Sequence, residues 1–173
     1  MDYEKHIGVY PDFPKPGISF KDISPLVANA EAFHSVIDDM AKMAEKYKPT
    51  LILGAESRGF IFGSALAYKM NLGFVMGRKA GKLPGTTIKA SYSLEYGTAT
   101  LEIPSGAIKP GDRVLLIDDL MATGGTFDAL KKIVQVAGGE AVGCITLINL
   151  EELHGEKVVG LPCETILTLS DSH

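Results

Sequence analysis

The chain has 173 residues, which at roughly 100–200 residues per domain makes one domain with a sizeable core. Hydrophobic residues at 46% and charged residues at 22% exclude a disordered or fibrous chain and fit a globular one. With 17 basic and 21 acidic side chains the formal net charge is -4, so there is no chain-wide electrostatic footprint for nucleic acid, and any basic pocket must be local.

The opening Met1-Asp2-Tyr3-Glu4-Lys5-His6 has no apolar core segment of the signal-peptide kind. The longest uncharged apolar-rich stretch, residues 59–68, is far short of the ~20 residues a membrane helix needs. Cytoplasm is the expected location, with neither a membrane nor a nucleic acid as partner. Cys144 and Cys163 stand inside apolar runs and read as buried reduced thiols, and no Cys/His cluster has zinc spacing.

Residues 1–27 are rich in Pro and Gly and read as an irregular arm. Asn29 is an N-cap for a helix that carries Phe33, Val36, Ile37, Met40, Ala44 and Tyr47 on one face and ends at Pro49. Residues 50–54 form a short buried strand, followed by the polar loop 55–59 and a helix to about Met70. Residues 73–76 give the next strand. Residues 81–97 carry glycines, prolines and many hydroxyls, and read as a mobile excursion with a returning strand over 96–103. A third buried strand spans 113–118. A glycine-containing loop then leads into a helix over 126–137, which Gly138-Gly139 ends. Strands over 141–150 and 164–169 complete the set. Strands alternating with helices imply an α/β fold with a mostly parallel sheet, whose ligands sit at the carboxyl ends of the strands. The two most polar loops, 55–59 and 118–126, lie at those ends.

The segment 114–126 carries the most chemistry. Val114, Leu115, Leu116 and Ile117 deliver two adjacent carboxylates, Asp118 and Asp119, to a strand end. Ala122, Thr123, Gly124, Gly125 and Thr126 then open a helix. Small side chains let backbone amides approach a phosphate, the helix N-terminus adds about half a positive charge, and the threonines add hydroxyl donors. A P-loop is excluded, because Gly-x-x-x-x-Gly-Lys-Ser/Thr is missing, and so is a Gly-x-Gly-x-x-Gly dinucleotide turn. Acids beside a phosphate make sense once a sugar lies between them. They accept hydrogen bonds from ribose hydroxyls and stabilise the positive charge that develops on the sugar as a glycosidic bond breaks. A magnesium ion offsets the remaining anionic charge. His6, His34, His154 and His173 sit in no motif, and no nucleophile elbow surrounds Ser57.

This strand, acid pair and Thr-Gly-Gly-Thr loop resemble the signature of the type I phosphoribosyltransferases. Further segments resemble the adenine branch of that family, in the family's order and over nearly the whole chain. They are Asp12-Phe13-Pro14-Lys15-Pro16-Gly17-Ile18, Phe20-Lys21-Asp22-Ile23-Ser24-Pro25, Glu56-Ser57-Arg58-Gly59-Phe60, Arg78-Lys79, Gly81-Lys82-Leu83-Pro84-Gly85 and Ala90-Ser91-Tyr92-Ser93-Leu94-Glu95-Tyr96-Gly97. The resemblance implies one domain over 1–173, with a base-binding hood over 1–27 and a β-hairpin lid, or flexible catalytic loop, over 81–97. It implies transfer of phosphoribosyl from phosphoribosyl diphosphate to adenine, with Mg2+ held mainly by substrate and water. The alternatives within reach of the same residues are a xanthine or guanine transferase, and a non-catalytic sensor of phosphoribosyl diphosphate.

The roles it implies are specific. Asp118 and Asp119 hold the ribose hydroxyls, and Ala122, Thr123, Gly124, Gly125 and Thr126 bind the 5′-phosphate. Glu56, Ser57 and Arg58 hold the diphosphate, with a cis peptide before the serine. Lys79 and Lys82 neutralise it. Arg78 reaches a neighbouring subunit, implying a homodimer. Glu95 on the lid handles a proton of the adenine ring, and Tyr96 beside it contacts substrate. Ser19, Phe20 and Lys21 contact the base, with Lys21 standing where some members carry arginine and so lacking the planar guanidinium fork.

Overall fold

A computed structural model describes residues 1–94 and 97–170. The arm is more regular than its composition suggests. A 3-10 turn (Tyr3–His6) precedes two short strands, β1 (Gly8–Tyr10) and β2 (Phe20–Asp22), paired antiparallel with Tyr10 opposite Phe20. A helical turn, α1 (Ser24–Ala28), follows. Strands of three residues carry no readable alternation, so the Pro/Gly punctuation masks them. Tyr3 ties the arm to the body. Its hydroxyl donates to Asp39 at 2.6 Å and lies 2.6 Å from the Ser35 hydroxyl.

Helix α2 (Ala30–Glu45) starts where Asn29 accepts a hydrogen bond from the Ala32 amide at 2.9 Å. Val36 and Met40 on its inner face are fully buried. It ends before Tyr47, one residue of the expected apolar face, because the chain must turn ahead of Pro49.

From there strands and helices alternate: β3 (Leu51–Ala55), α3 (Arg58–Met70), β4 (Gly73–Lys79), β5 (Thr87–Leu94), β6 (Gly97–Pro104), β7 (Arg113–Met121), α4 (Gly125–Ala137), β8 (Glu140–Leu150), α5 (Gly155–Val159) and β9 (Cys163–Leu169). The sheet runs β5-β6-β4-β3-β7-β8-β9. The pairs β3–β4, β3–β7, β7–β8 and β8–β9 are parallel, while the β5–β6 hairpin joins antiparallel through β4. Helices α2 and α3 cover one face and α4 the other, with fully buried Leu115 and Ile117 facing the first layer and Val114 and Leu116 the second. Each such side chain contributes about 1.5–3 kcal/mol of burial, which is why the apolar run of β7 is fixed at the centre.

Chain order departs in opposite directions from the β3–β7 pair: β4 lies to one side of it, β8 and β9 to the other. That is a topological switch point, where the strand ends diverge and leave a crevice. The β3–β7 pairing stops at Gly54 and Ile117, two residues before Glu56 and immediately before Asp118. Two expectations are corrected here. The strand does not end at Asp118 but continues to Met121, because β8 still pairs with it there. The polar loop after β3 is also shorter than 55–59, since Ala55 pairs with Gly77 and α3 already begins at Arg58.

Candidate active site

At this crevice lies a cleft of about 380 Å³ lined by Glu56, Ser57, Arg58, Lys79, Tyr92, Asp118, Asp119 and Thr126. A second lobe of about 190 Å³ shares Arg58, Asp118, Asp119 and Thr126 with it and is bounded by residues 120–125 and Phe127. Together they have the size of a small-molecule site.

Two helices aim their N-termini at this space. Gly124 stands at the N-cap of α4 with no side chain capping the first turn, and Ser57 stands at the N-cap of α3 with its side chain likewise making no cap hydrogen bond. First-turn amides without an internal partner, reinforced by the helix dipole, are anion-binding groups. The approach is close enough to require glycine twice. A Cβ on Gly59 would stand 3.0 Å from Asp118 Oδ1, so the first turn of α3 rests against the acid pair. Gly124 has φ +89°, and a Cβ there would meet the Gly155 carbonyl oxygen at 2.4 Å. The Glu56–Ser57 peptide is cis.

The charges are arranged in pairs. Arg58 Nε donates to Asp119 Oδ2 at 2.8 Å, and Asp119 is 6% exposed. Asp118 Oδ1 accepts the Asp119 amide at 2.8 Å. Burial pushes the Asp118 carboxyl well above the usual carboxylate range, with the Asp119 charge adding to it and Arg58 only partly offsetting it. Glu56 moves the other way. The hydrogen bond from Arg78 Nε at 2.7 Å holds it below its ordinary value, and the Lys79 amide at 3.2 Å adds to this. One acid beside the crevice thus favours its proton and another its charge.

Of the expected residues, Glu56, Ser57, Arg58, Lys79, Asp118, Asp119 and 122–126 meet on one cavity wall. Arg78 is turned to Glu56 rather than into the cleft. Lys82 stands nearby on an exposed turn, close enough for its charge to help lower Glu56. Ser19 and Lys21 are joined by a bond from Lys21 Nζ to Ser19 Oγ at 2.7 Å, and Phe20 meets Phe13 edge-on at 5.2 Å. These three do not line the cleft itself. Their ribbon lies beside it, since Asp22, lowered chiefly by the Ser24 hydroxyl and amide, also feels Arg58. Glu95 and Tyr96 fall outside the described residues. Tyr92 was given no role by sequence reasoning, yet it lines the cleft and packs on the first turn of α4, 3.4 Å from where a Gly125 Cβ would stand. Only the folding back of the hairpin places it there. A larger apolar hollow of about 730 Å³, between α2 and α3, is lined by Phe33, Ile37 and Tyr68 among others and lies away from the strand ends.

The profile of the phosphoribosyl transferase domain matches residues 25–167. The chain belongs to this phosphoribosyltransferase family. Adenine phosphoribosyltransferase of Synechococcus sp. (strain CC9605) is 49% identical over 96% of this chain and 98% of its own length. Among solved structures, the adenine phosphoribosyltransferase of Thermoanaerobacter pseudethanolicus superposes with a TM-score of 0.94 at 44% identity, over 97% of this chain and 98% of that one. The Saccharomyces cerevisiae enzyme, complexed with an imino-altritol bisphosphate and adenine, gives a TM-score of 0.93 at 37% identity, over 96% and 97% of the two chains. The family profile begins at Pro25, so the arm carrying Ser19, Phe20 and Lys21 precedes the shared domain and is matched by the full-length relatives.

Proposed function

We propose that this phosphoribosyltransferase moves the 5-phosphoribosyl group from 5-phosphoribosyl 1-diphosphate to adenine, releasing AMP and diphosphate. The observation that carries the reading is the crevice itself, where two uncapped helix starts, an arginine and an acid pair converge on one volume. Ala122, Thr123, Gly124, Gly125 and Thr126, at the start of α4, take the 5′-phosphate. Asp118 and Asp119 take the ribose hydroxyls. Arg58, the backbone of 56–58, Lys79 and Lys82 take the diphosphate. As the bond from C1′ to the diphosphate oxygen breaks, the ring becomes cationic and the acids are strengthened as partners. Adenine N9 forms the new bond to C1′ and the proton that the ring gives up passes to the Glu95 carboxylate. Ser19, Phe20 and Lys21 form the base-facing hood, and 81–97 closes as the catalytic loop to exclude water.

Hard oxygen donors at the rim fit Mg2+, which keeps several waters and uses substrate phosphates as ligands. Diphosphate oxygens and water would hold it, and bound there it would neutralise charge on the leaving group. The two free thiols, Cys144 and Cys163, fit a cytoplasmic setting, and no helix among the described residues is long and apolar enough to cross a membrane. Self-association into a homodimer is supported by exposed apolar side chains, among them Tyr68 at 91%, and sedimentation that gives only the monomer mass would refute it.

The test is a panel of bases mixed with purified protein, magnesium and phosphoribosyl diphosphate. AMP is the expected product. Turnover of guanine or xanthine without AMP would overturn the base assignment, since pockets that hydrogen-bond one donor pattern reject the other. Binding of phosphoribosyl diphosphate with no base turned over would overturn the enzymatic one.

A further inference from the structure

Glu102 stands in the second half of β6 between Leu101 and Ile103, and is itself 6% exposed. A carboxylate so enclosed is costly unless its oxygens are satisfied. Both have a partner. Oε1 accepts the Gly81 amide at 3.2 Å, and Oε2 accepts the Thr87 hydroxyl at 3.2 Å. Arg78 on β4 and Lys89 on β5 stand opposite Glu102 in register, so a cation flanks it on each neighbouring strand.

Gly81 and Thr87 bound the span 82–86. Its own backbone bonds are few: the Lys82 amide donates to the Lys79 carbonyl at 3.3 Å, and the Thr86 carbonyl accepts the Ser105 amide at 3.0 Å. Leu83 is half-buried and lines an apolar hollow of about 170 Å³ with Phe74, Val75 and Met76, while Lys82 and Pro84 to Thr86 are exposed. Gly81 at φ +82° and Gly85 at φ +74° impose little conformational preference of their own. One acceptor-only side chain therefore bridges both ends of a segment that local sequence leaves loose.

We propose that Glu102 is a positioning residue for phosphoribosyl transfer, holding Gly81 and Thr87 at a fixed separation so that the 82–86 span presents Lys82 to the diphosphate end of the cleft. This rests on the reading of Lys82 as a diphosphate contact. An apolar residue would pack as well between Leu101 and Ile103. It would leave the Gly81 amide and Thr87 hydroxyl without their acceptor, and the span would have to be ordered by the substrate at each binding event.

The experiment compares wild type with Glu102→Leu, Glu102→Gln and Thr87→Val. Glu102→Leu keeps the volume and loses both bonds. Its KM for phosphoribosyl diphosphate should rise about 10-fold, with kcat and the KM for adenine within about 2-fold of wild type. Glu102→Gln should recover most of the loss, because its carbonyl still accepts from Gly81 and the Thr87 hydroxyl turns to accept from its amide. Thr87→Val removes one bond and should raise the same KM about 3-fold, so the test survives if Glu102→Leu fails to fold. Trypsin cleavage after Lys82, measured without substrates, should be faster in Glu102→Leu and Thr87→Val than in wild type. That arm reads the pinning even if wild type makes no AMP, an outcome that sinks the functional reading alone. Unchanged KM for phosphoribosyl diphosphate with unchanged cleavage overturns the proposal. So does an equal rise in both KM values, which would mark Glu102 as a packing residue only.

Discussion

Replacing Gly124 by alanine isolates the geometry of the turn that opens α4. The residue has φ +89°, a conformation that costs an L-residue about 1–2 kcal/mol. The added Cβ would also meet the Gly155 carbonyl oxygen at 2.4 Å. That atom is backbone and cannot rotate away, so the start of α5 or of α4 must shift, at roughly 1–3 kcal/mol for overpacking. The combined loss is about 2–5 kcal/mol. At about 2–4 °C per kcal/mol for a chain of this size, Tm should fall by roughly 5–20 °C in scanning calorimetry of the unliganded protein. Gly125→Ala is the control. Its Cβ meets nothing nearer than Tyr92 at 3.4 Å, and alanine is favoured over glycine in a helix by about 0.5–1 kcal/mol. Its Tm should hold or rise by a few degrees. Phosphoribosyl diphosphate should restore less of the lost Tm in Gly124→Ala than it adds to wild type, because the shifted turn misaligns the amides. Gly124→Ala melting with wild type, or Gly125→Ala falling as far, would refute the reasoning.

Two further substitutions test the charges. Asp118→Asn should cut turnover by about 100-fold, as loss of a transition-state partner does. Its effect on stability has the opposite sign. The folded Asp118 carboxyl titrates above its unfolded value of 3.8, so its contribution is fully present below that pH and is lost as pH rises through the folded pKa. The asparagine variant should therefore have a higher Tm than wild type at neutral pH, with the gain shrinking towards pH 4. A lower Tm at neutral pH, or full activity, would contradict the placement. Glu95→Ala should lower kcat by about 10–100-fold while phosphoribosyl diphosphate binding, read by calorimetry, changes little. The reverse pattern would make Glu95 a binding group.

The parts of the fold that can be read from the sequence are those set by local chemistry. The run Val114 to Ile117 is apolar on both faces because the sheet is covered on both, and a central parallel strand needs nothing more. The small residues at 122–126 announce a turn where backbone must come close to something, and Gly124 does so at the Gly155 carbonyl. The missed features are non-local. Strands β1 and β2 have three residues each and exist through mutual pairing and the anchoring of Tyr3 on α2. The five residues of α5 are too few to show a period. Asp119 pairs with Arg58, 61 positions earlier by their numbers, and no spacing rule connects the two. Tyr92 and Glu102 acquire their places only when the hairpin folds against β4 and α4.

The 2.8 Å contact between Arg58 and Asp119 has a consequence for what the cleft admits under the proposed function. A lone anion that captures the guanidinium strands a buried carboxylate beside a second acid. A lone diol that captures the carboxylate strands the guanidinium. A ligand carrying both functions at adjacent positions replaces each half of the ion pair it displaces. Phosphoribosyl diphosphate, with its diphosphate on the carbon next to the diol, should accordingly bind more tightly than diphosphate and ribose 5-phosphate titrated separately would predict, and equal affinities would remove the idea. On the proposed function, the pair is expected to make the pocket respond to a connected molecule and largely ignore its fragments.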